Sequence, residues 1–290
     1  MKCTLCPREC NTDRTQRTGV CTAPAGLKVA RAALHFWEEP CISGTRGSGT
    51  VFFGGCPLGC VFCQNREISR LGVGKEISTQ RLGEIFLELA SQGAHNINLV
   101  SPTQYTDLIV EALDGIDLRI PVAVNTGGYE KPDTLEKWRD RAQIFIPDLK
   151  CVSEDIGRRY MAAPDYFEVA LKAVKKMHKL QPEIVLGADG VMQKGLIVRH
   201  LVLPGHKDDS LKVLDALNNA LPKDGFLLSL MSQFTPTPNC KNYPEINRRI
   251  TTYEYNRVAE YALKLGFRGF MQERSSAKEE YTPPFDLTGV

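Results

Sequence analysis

From Gly49 onward, short apolar runs alternate with segments whose apolar positions recur every three or four residues. The runs Thr50–Phe53, Asn96–Val100, Val122–Asn125, Ile144–Pro147, Leu196–Leu203 and Phe226–Leu230 predict buried strands. Helical periodicity marks Thr79–Gln92, Tyr105–Asp114, Asp133–Arg141, Asp165–Leu180, Ser210–Ala220 and Thr252–Leu265. Asp165 and Ser210 suit helix N-caps, and Pro132 suits a helix start. Strand then helix, repeated, predicts right-handed crossovers and a parallel α/β sheet. Six such units are too few to close an eightfold barrel. Ile184–Leu196, with Asp189 and Gly190, reads as a small hairpin insertion. Pro236–Arg249 is polar and proline-rich and reads as a loop, or a lid. The tail after Met271, with Pro283, Pro284 and Phe285, has no periodicity; it either folds over the barrel mouth or stays mobile.

Before Gly49 the pattern changes. Cys3, Cys6, Cys10 and Cys21 are spaced C-x2-C-x3-C-x10-C among polar, turn-forming residues. Such a short segment has little to build a core and needs a staple, for which a metal is the natural choice. Four free thiols in a floppy arm is the bland alternative. Gly26–Pro40 is a bridge in which Val29–Leu34 reads as a strand. Glu38 and Glu39 either line a site or form a solvated acidic pair. The expected organisation is a Cys-rich metal-binding module and bridge over 1–40, a barrel over 41–270 and a tail over 271–290.

Composition narrows the function classes. At 290 residues the chain can bury one large core or two modest ones, and its net charge is only +2. No basic run offers a nucleic-acid footprint, and no apolar stretch is long enough to span a membrane. Met1, Lys2 and Cys3 do not begin a secretory signal, so the expected location is the cytoplasm, where thiols stay reduced. Ten cysteines, concentrated in the first quarter, then favour metal sites over disulfides. Cys41 is isolated and reads as a packing thiol, while Cys151 and Cys240 are not spaced as ligands with anything nearby, a catalytic thiol being the lesser alternative.

The densest chemistry is Cys56, Cys60 and Cys63, spaced C-x3-C-x2-C in a tight loop after the first barrel strand. Soft thiolates select zinc, copper(I) or iron–sulfur clusters. A closed zinc site needs four protein ligands, and this loop offers three. Three thiolates on a four-iron cluster leave one iron open, and an open iron can bind a substrate.

This loop, with Phe62 before its third cysteine, resembles the radical S-adenosylmethionine (SAM) enzymes. Cys63, Gln64 and Asn65, the stretch Ala33–Pro40, Gly47–Gly49, Asp148–Lys150 and Arg199–Gly205 resemble the pyruvate formate-lyase activating-enzyme branch, in its uncharacterised activating-enzyme-like subgroup. The resemblance runs to about Leu265 and implies a partial (β/α)6 TIM-like barrel. It also implies a [4Fe-4S] cluster on Cys56, Cys60 and Cys63, with SAM at the open iron. The N-terminal cysteine spacing resembles four-iron sites of other redox proteins, so a second [4Fe-4S] centre is favoured there over zinc.

In parallel α/β sheets, ligands sit beyond the carboxyl ends of the strands. Ser101, Pro102 and Thr103 stand where the family places a glycine-rich segment that binds the SAM amino group. Asn125 and Thr126 are placed to hydrogen-bond SAM, and Gly127 and Gly128 permit close approach. The pyruvate formate-lyase activator has, at the position of Asn125, an Asp that helps hold a monovalent cation. Asp148 and Lys150 flank one residue and point the same way, as a polar pair for SAM or as a structural ion pair. Arg199 is suited to bidentate pairing with a carboxylate, and its neighbour His200 faces the packed side. Ser232 and Gln233 follow the sixth strand and are within reach of adenosine.

The chemistry implied is reductive cleavage of SAM to methionine and a 5′-deoxyadenosyl radical that abstracts hydrogen from a substrate. The implied electron donor is a flavodoxin or ferredoxin. The implied substrate is a glycine of a glycyl-radical partner enzyme, or else another peptide or a small molecule. Two other classes compete: a two-cluster electron-transfer protein and a zinc-bound nucleic-acid module. Neither needs six strand–helix units, and near-neutral charge argues against the second.

Overall fold

The computed structural model describes residues 2–272 and 282–290. In chain order the elements are β1 (Leu27–His35), α1 (Pro40–Ser43), β2 (Ser48–Phe53), α2 (Arg66–Ser69), β3 (Lys75–Ile77), α3 (Thr79–Ser91) and β4 (Ile97–Val100). Then come α4 (Thr106–Asp114), β5 (Val122–Thr126), α5 (Pro132–Glu136), β6 (Ile144–Pro147), α6 (Glu154–Met161), α7 (Tyr166–Leu180) and β7 (Val185–Leu186). The chain continues through β8 (Met192–Leu201), α8 (Lys207–Ala220), β9 (Leu227–Met231), α9 (Thr252–Lys264) and β10 (Gly269–Met271).

The sheet order is β10-β9-β8-β6-β5-β4-β2-β1-β3, and every neighbouring pair from β2 to β10 is parallel. β1 runs antiparallel on β2 and β3 antiparallel on β1. The two ends of this order do not pair, so the architecture is the partial TIM-like barrel expected. The six strand runs correspond to β2, β4, β5, β6, β8 and β9. A short seventh parallel strand, β10, was not anticipated, because three residues show no periodicity.

Alternation along the strands sorts side chains between two cores. Leu99, Val124, Phe145, Val198 and Leu228 face outward onto Phe86, Ile109, Val174, Leu217 and Val258 of the helices. Ala123, Ile144, Ile146, Ile197 and Leu227 face inward and fill the barrel with Ile42 and Met192. Phe145 is fully buried, and truncation to Ala would cost about 3–5 kcal/mol. This plug closes one end of the barrel and leaves the carboxyl ends of the strands for a cavity.

Several boundaries differ from the sequence reading. α8 begins at Lys207, so Ser210 lies inside it rather than at its cap; the polar first turn hid the start. Asp165 does stand at the N-cap of α7, but its side chain makes no cap bond, because both its carboxylate oxygens accept from Tyr129 Oη at 2.9 Å. α5 stops at Glu136 and continues as turns, while Pro132 does open it. α6, capped by Ser153, was not foreseen. The hairpin insertion is β7 paired with the start of β8.

Pro236–Arg249 is pinned down rather than free to act as a lid. Cys240 and Ile246 are fully buried, and Thr237 Oγ1 donates to the Val61 carbonyl at 2.6 Å. Of the tail, 273–281 lie outside the described residues. Residues 282–290 pack on β1: Ala32 N–H donates to the Thr288 carbonyl at 2.9 Å, and Phe285 meets Phe52 edge-on at 5.4 Å. Among the described residues no helix is long and apolar enough to cross a membrane.

Candidate active site

A cavity of about 440 Å³ opens at the carboxyl ends of β2, β4, β5, β6, β8, β9 and β10. Its wall includes Cys56, Cys60 and Cys63. The loop that carries them leaves β2 through Gly54 and Gly55, the latter at φ +84°. It is held by backbone bonds from Gly59 N–H to the Met161 carbonyl at 3.1 Å and from Val61 N–H to the Tyr160 carbonyl at 2.8 Å. Cys63 Sγ lies 3.5 Å from Ser69 Oγ. Burial pushes the thiols of Cys56 and Cys60 up to about 12. The neighbouring sulfurs add to this at Cys56, whereas Lys150 opposes it at Cys60. Thiols so placed keep their protons until a metal replaces them.

The strand-end residues expected around the loop are brought to the same cavity in most cases. Phe62, Ser101, Asn125, Thr126, Asp148, Lys150, Arg199 and Gln233 all line it. Phe62 is buried with its ring 6.0 Å from that of Phe234. Ser101 takes a left-handed backbone, φ +56°, and its N–H donates to the Asn125 carbonyl at 2.9 Å. A glycine would sit there without strain, which is the local meaning of the Ser in place of the family's glycines. Pro102 and Thr103 are not on the cavity wall. Thr103 is buried behind it and donates to Glu130 Oε1 at 2.5 Å. Ser232 is likewise buried off the wall, its N–H bonded to Gln272 Oε1 at 3.1 Å.

Asp148 and Lys150 do point the same way, into the cavity, and are ion-paired with each other. Burial pulls the Lys150 ammonium down, but Asp148 and the Cys60 sulfur outweigh it, so it is held above its ordinary value. Tyr166, from α7, ties the strand ends together. Its hydroxyl lies 2.9 Å from the carbonyls of Gly127 and Asp148 and accepts from Lys150 N–H at 3.1 Å. Gly128 is required here, since a Cβ would fall 2.1 Å from the Asp148 carbonyl oxygen.

Arg199 faces the cavity, but the carboxylates it meets belong to this chain: Glu38 and Glu39, both largely buried. The solvated acidic pair is therefore excluded. His200 faces the other way, fully buried with Nδ1 2.7 Å from the Leu149 carbonyl. Cys41, Cys151 and Cys240 are buried and off the wall. The sequence reading missed His35, Phe36 and Trp37 at the end of β1, and Gln272 just past β10. Gln272 satisfies the strand-end rule but follows the unforeseen strand.

The N-terminal cysteines lie directly behind this loop. Cys21 accepts at its carbonyl from Cys56 N–H at 2.9 Å, and Arg8 Nε donates to the Pro57 carbonyl at 2.9 Å. Among the described residues no three His, Cys, Asp or Glu side chains are grouped as a site for a metal ion. A single zinc requires sulfurs about 2.3 Å from one point. A four-iron cluster binds each thiolate to a different iron and takes a wider ring. Three cysteines of one loop on one wall would fit the latter. The cavity volume is within the range of about 300–1,000 Å³ usual for small-molecule sites, so it suits SAM as well.

Comparison with known proteins bears on the family. The model of the Radical SAM superfamily matches residues 50–217. The uncharacterized protein MJ0674 of Methanocaldococcus jannaschii is 29% identical over 271 residues, covering 90% of this chain and 74% of that protein. The crystal structure of Streptococcus suis SuiB bound to precursor peptide SuiA superposes with TM-score 0.50 at 14% identity, covering 72% of this chain and 43% of that one. SuiB bound to S-adenosylmethionine gives TM-score 0.50 at 15% identity, covering 72% and 44%. The chain thus spans under half the length of these solved structures, and the likeness is one of fold. Because the matched segment runs from the cysteine loop through most of the barrel that frames the cavity, this chain belongs to the radical SAM superfamily, whose members cleave SAM at a [4Fe-4S] cluster.

Proposed function

We propose that Cys56, Cys60 and Cys63 hold a four-iron cluster against SAM in the cavity, and that this chain uses SAM to start radical chemistry on a polypeptide substrate. One observation carries the reading: three thiols of one loop share a wall with the polar ends of five strands. When bound, the cluster supplies the electron that splits SAM into methionine and a 5′-deoxyadenosyl radical, which removes a hydrogen atom from the substrate. The residues of the chain orient and enclose. Lys150 offers an ammonium to the SAM carboxylate, and Ser101, Asn125 and Thr126 offer hydrogen-bonding groups along the strand ends. Phe62 and Phe234 shield one side from water.

At the rim, Phe36 and Trp37 are about half exposed, at 51% and 54%. Aromatic side chains in this position suit a macromolecular partner better than a small solute. The activating-enzyme-like motifs favour a glycine Cα–H of a glycyl-radical enzyme as the target, with a flavodoxin or ferredoxin as electron donor. The test is anaerobic reconstitution with iron and sulfide, followed by dithionite and SAM. Formation of 5′-deoxyadenosine that disappears with Cys60→Ala supports the reading; an iron centre that leaves SAM intact sinks it.

A further inference from the structure

The first 25 residues are built around four sulfurs. Cys6 and Cys21 are buried and Cys3 and Cys10 half-buried, all as free thiols. The Arg14 guanidinium donates from Nη1 to Cys3 Sγ at 3.9 Å. Such a bond stabilises sulfur in its anionic form. A Cβ on Gly19 would lie 3.4 Å from Cys10 Sγ and 3.5 Å from Cys21 Sγ, so both sulfurs face the same small residue. Backbone strain concentrates on the same residues. Glu9, Asn11 and Thr22, which flank Cys10 and Cys21, hold φ of 39°, 50° and 63° without being glycine. Each such residue stores backbone strain. Among the described residues, the segment's own buried apolar side chains are only Cys6, Cys21 and Ala23, too few to offset that strain.

We infer that Cys3, Cys6, Cys10 and Cys21 hold a second four-iron cluster, which braces the cavity's cysteine loop from behind. The donor set is all sulfur, and its spacing lacks the paired knuckles of zinc modules. With one thiolate per iron no iron stays open, so this centre binds no substrate. The brace is the Cys21 carbonyl on Cys56 N–H, the Arg8 guanidinium on the Pro57 carbonyl, and Arg70 Nη1 on the Val20 carbonyl at 3.1 Å.

The test removes the cavity cysteines, so its outcome is independent of the SAM reading. The full chain carrying Cys56→Ala, Cys60→Ala and Cys63→Ala is reconstituted anaerobically, with far-UV circular dichroism as the control for folding. Binding of about four irons per chain, with an EPR signal after dithionite that vanishes on adding Cys6→Ala and Cys21→Ala, supports the cluster. No iron, or a single zinc, overturns it. Should the triple variant fail to fold, the Cys6→Ala, Cys21→Ala variant is compared with wild type: loss of about four irons per chain supports the inference and an unchanged iron count overturns it. Hydrogen exchange at the amide of residue 56 reads the brace. Slowing by about tenfold, or 1.4 kcal/mol, on metal loading is expected; an unchanged rate overturns it.

Discussion

Arg199 grips Glu39 through two parallel hydrogen bonds, 2.7 Å from Nε to Oε1 and 2.6 Å from Nη2 to Oε2, at the cavity end of the barrel interior. The same Nη2 also pairs with Glu38, and Nη1 reaches Asn125 Oδ1 at 3.3 Å. Burial raises the Glu39 carboxyl, but Arg199 outweighs it and holds it below the usual carboxylate range. A depressed carboxylate contributes stability above its unfolded value and loses it as pH falls through the folded one. Arg199→Met would strand two buried carboxylates at a cost of about 3–5 kcal/mol. Urea denaturation should show the gap to wild type widest at neutral pH and narrower in acid. An equal gap at both would refute this account.

Lys150 and Asp148 stand beside the cavity thiols with opposite charges, which gives paired expectations. Lys150→Gln removes a cation near Cys60 and should lower the reduction potential of the bound cluster. Asp148→Asn removes an anion and should raise it. Shifts on the order of 60 mV, a tenfold change for one electron, are expected. They are measured by EPR-monitored redox titration of reconstituted protein. Shifts of the same sign in both variants would mean that the pair acts through packing rather than charge.

What could be read in advance followed from period and spacing. The six barrel strands are continuous apolar runs because both of their faces are covered, and the cysteine loop announces itself by thiol density. The strand-end rule placed Asn125 and Asp148 on the wall because each lies at the end of a strand whose limits the apolar run fixes, and alternation within β8 put Arg199 there opposite His200. It misplaced Thr103, since one residue of left-handed backbone at Ser101 redirects everything after it. It also could not show that Glu38 and Glu39, in the connection between β1 and α1, fold back onto Arg199, for the Glu39 contact spans 160 positions of chain. β10 escaped notice because its pairing with β9, not its own pattern, makes it a strand.

Glu130 is buried behind the cavity wall, with hydroxyls of Thr103 and Thr126 on its carboxylate. Burial raises its carboxyl to about 7, and the two threonines only partly oppose this. A raised acid destabilises the fold once its unfolded counterpart ionises, so the penalty grows from about pH 4.5 to about pH 7 and is constant above. The shift corresponds to about 3 kcal/mol. Glu130→Gln should match wild type near pH 4 and exceed it above pH 7 by up to that amount. Chemical denaturation across this range checks it, and a gain that does not change with pH would point to packing instead.

Gly55 is the joint between the cavity loop and the segment behind it. Its φ of +84° is in the region that disfavours side chains, and a Cβ would meet the Cys21 carbonyl oxygen at 2.7 Å. That oxygen is the acceptor for Cys56 N–H, so the clash and the brace involve one atom. Gly55→Ala must therefore either strain the loop or push the N-terminal segment away, at a cost of about 1–3 kcal/mol. Gly190 provides the control: it also has positive φ, +76°, but a Cβ there meets nothing within 4 Å. Gly190→Ala pays only the backbone term, whereas Gly55→Ala should in addition speed hydrogen exchange at Cys56. Equal exchange at Cys56 in the two variants would show that the carbonyl contact does not hold the loop.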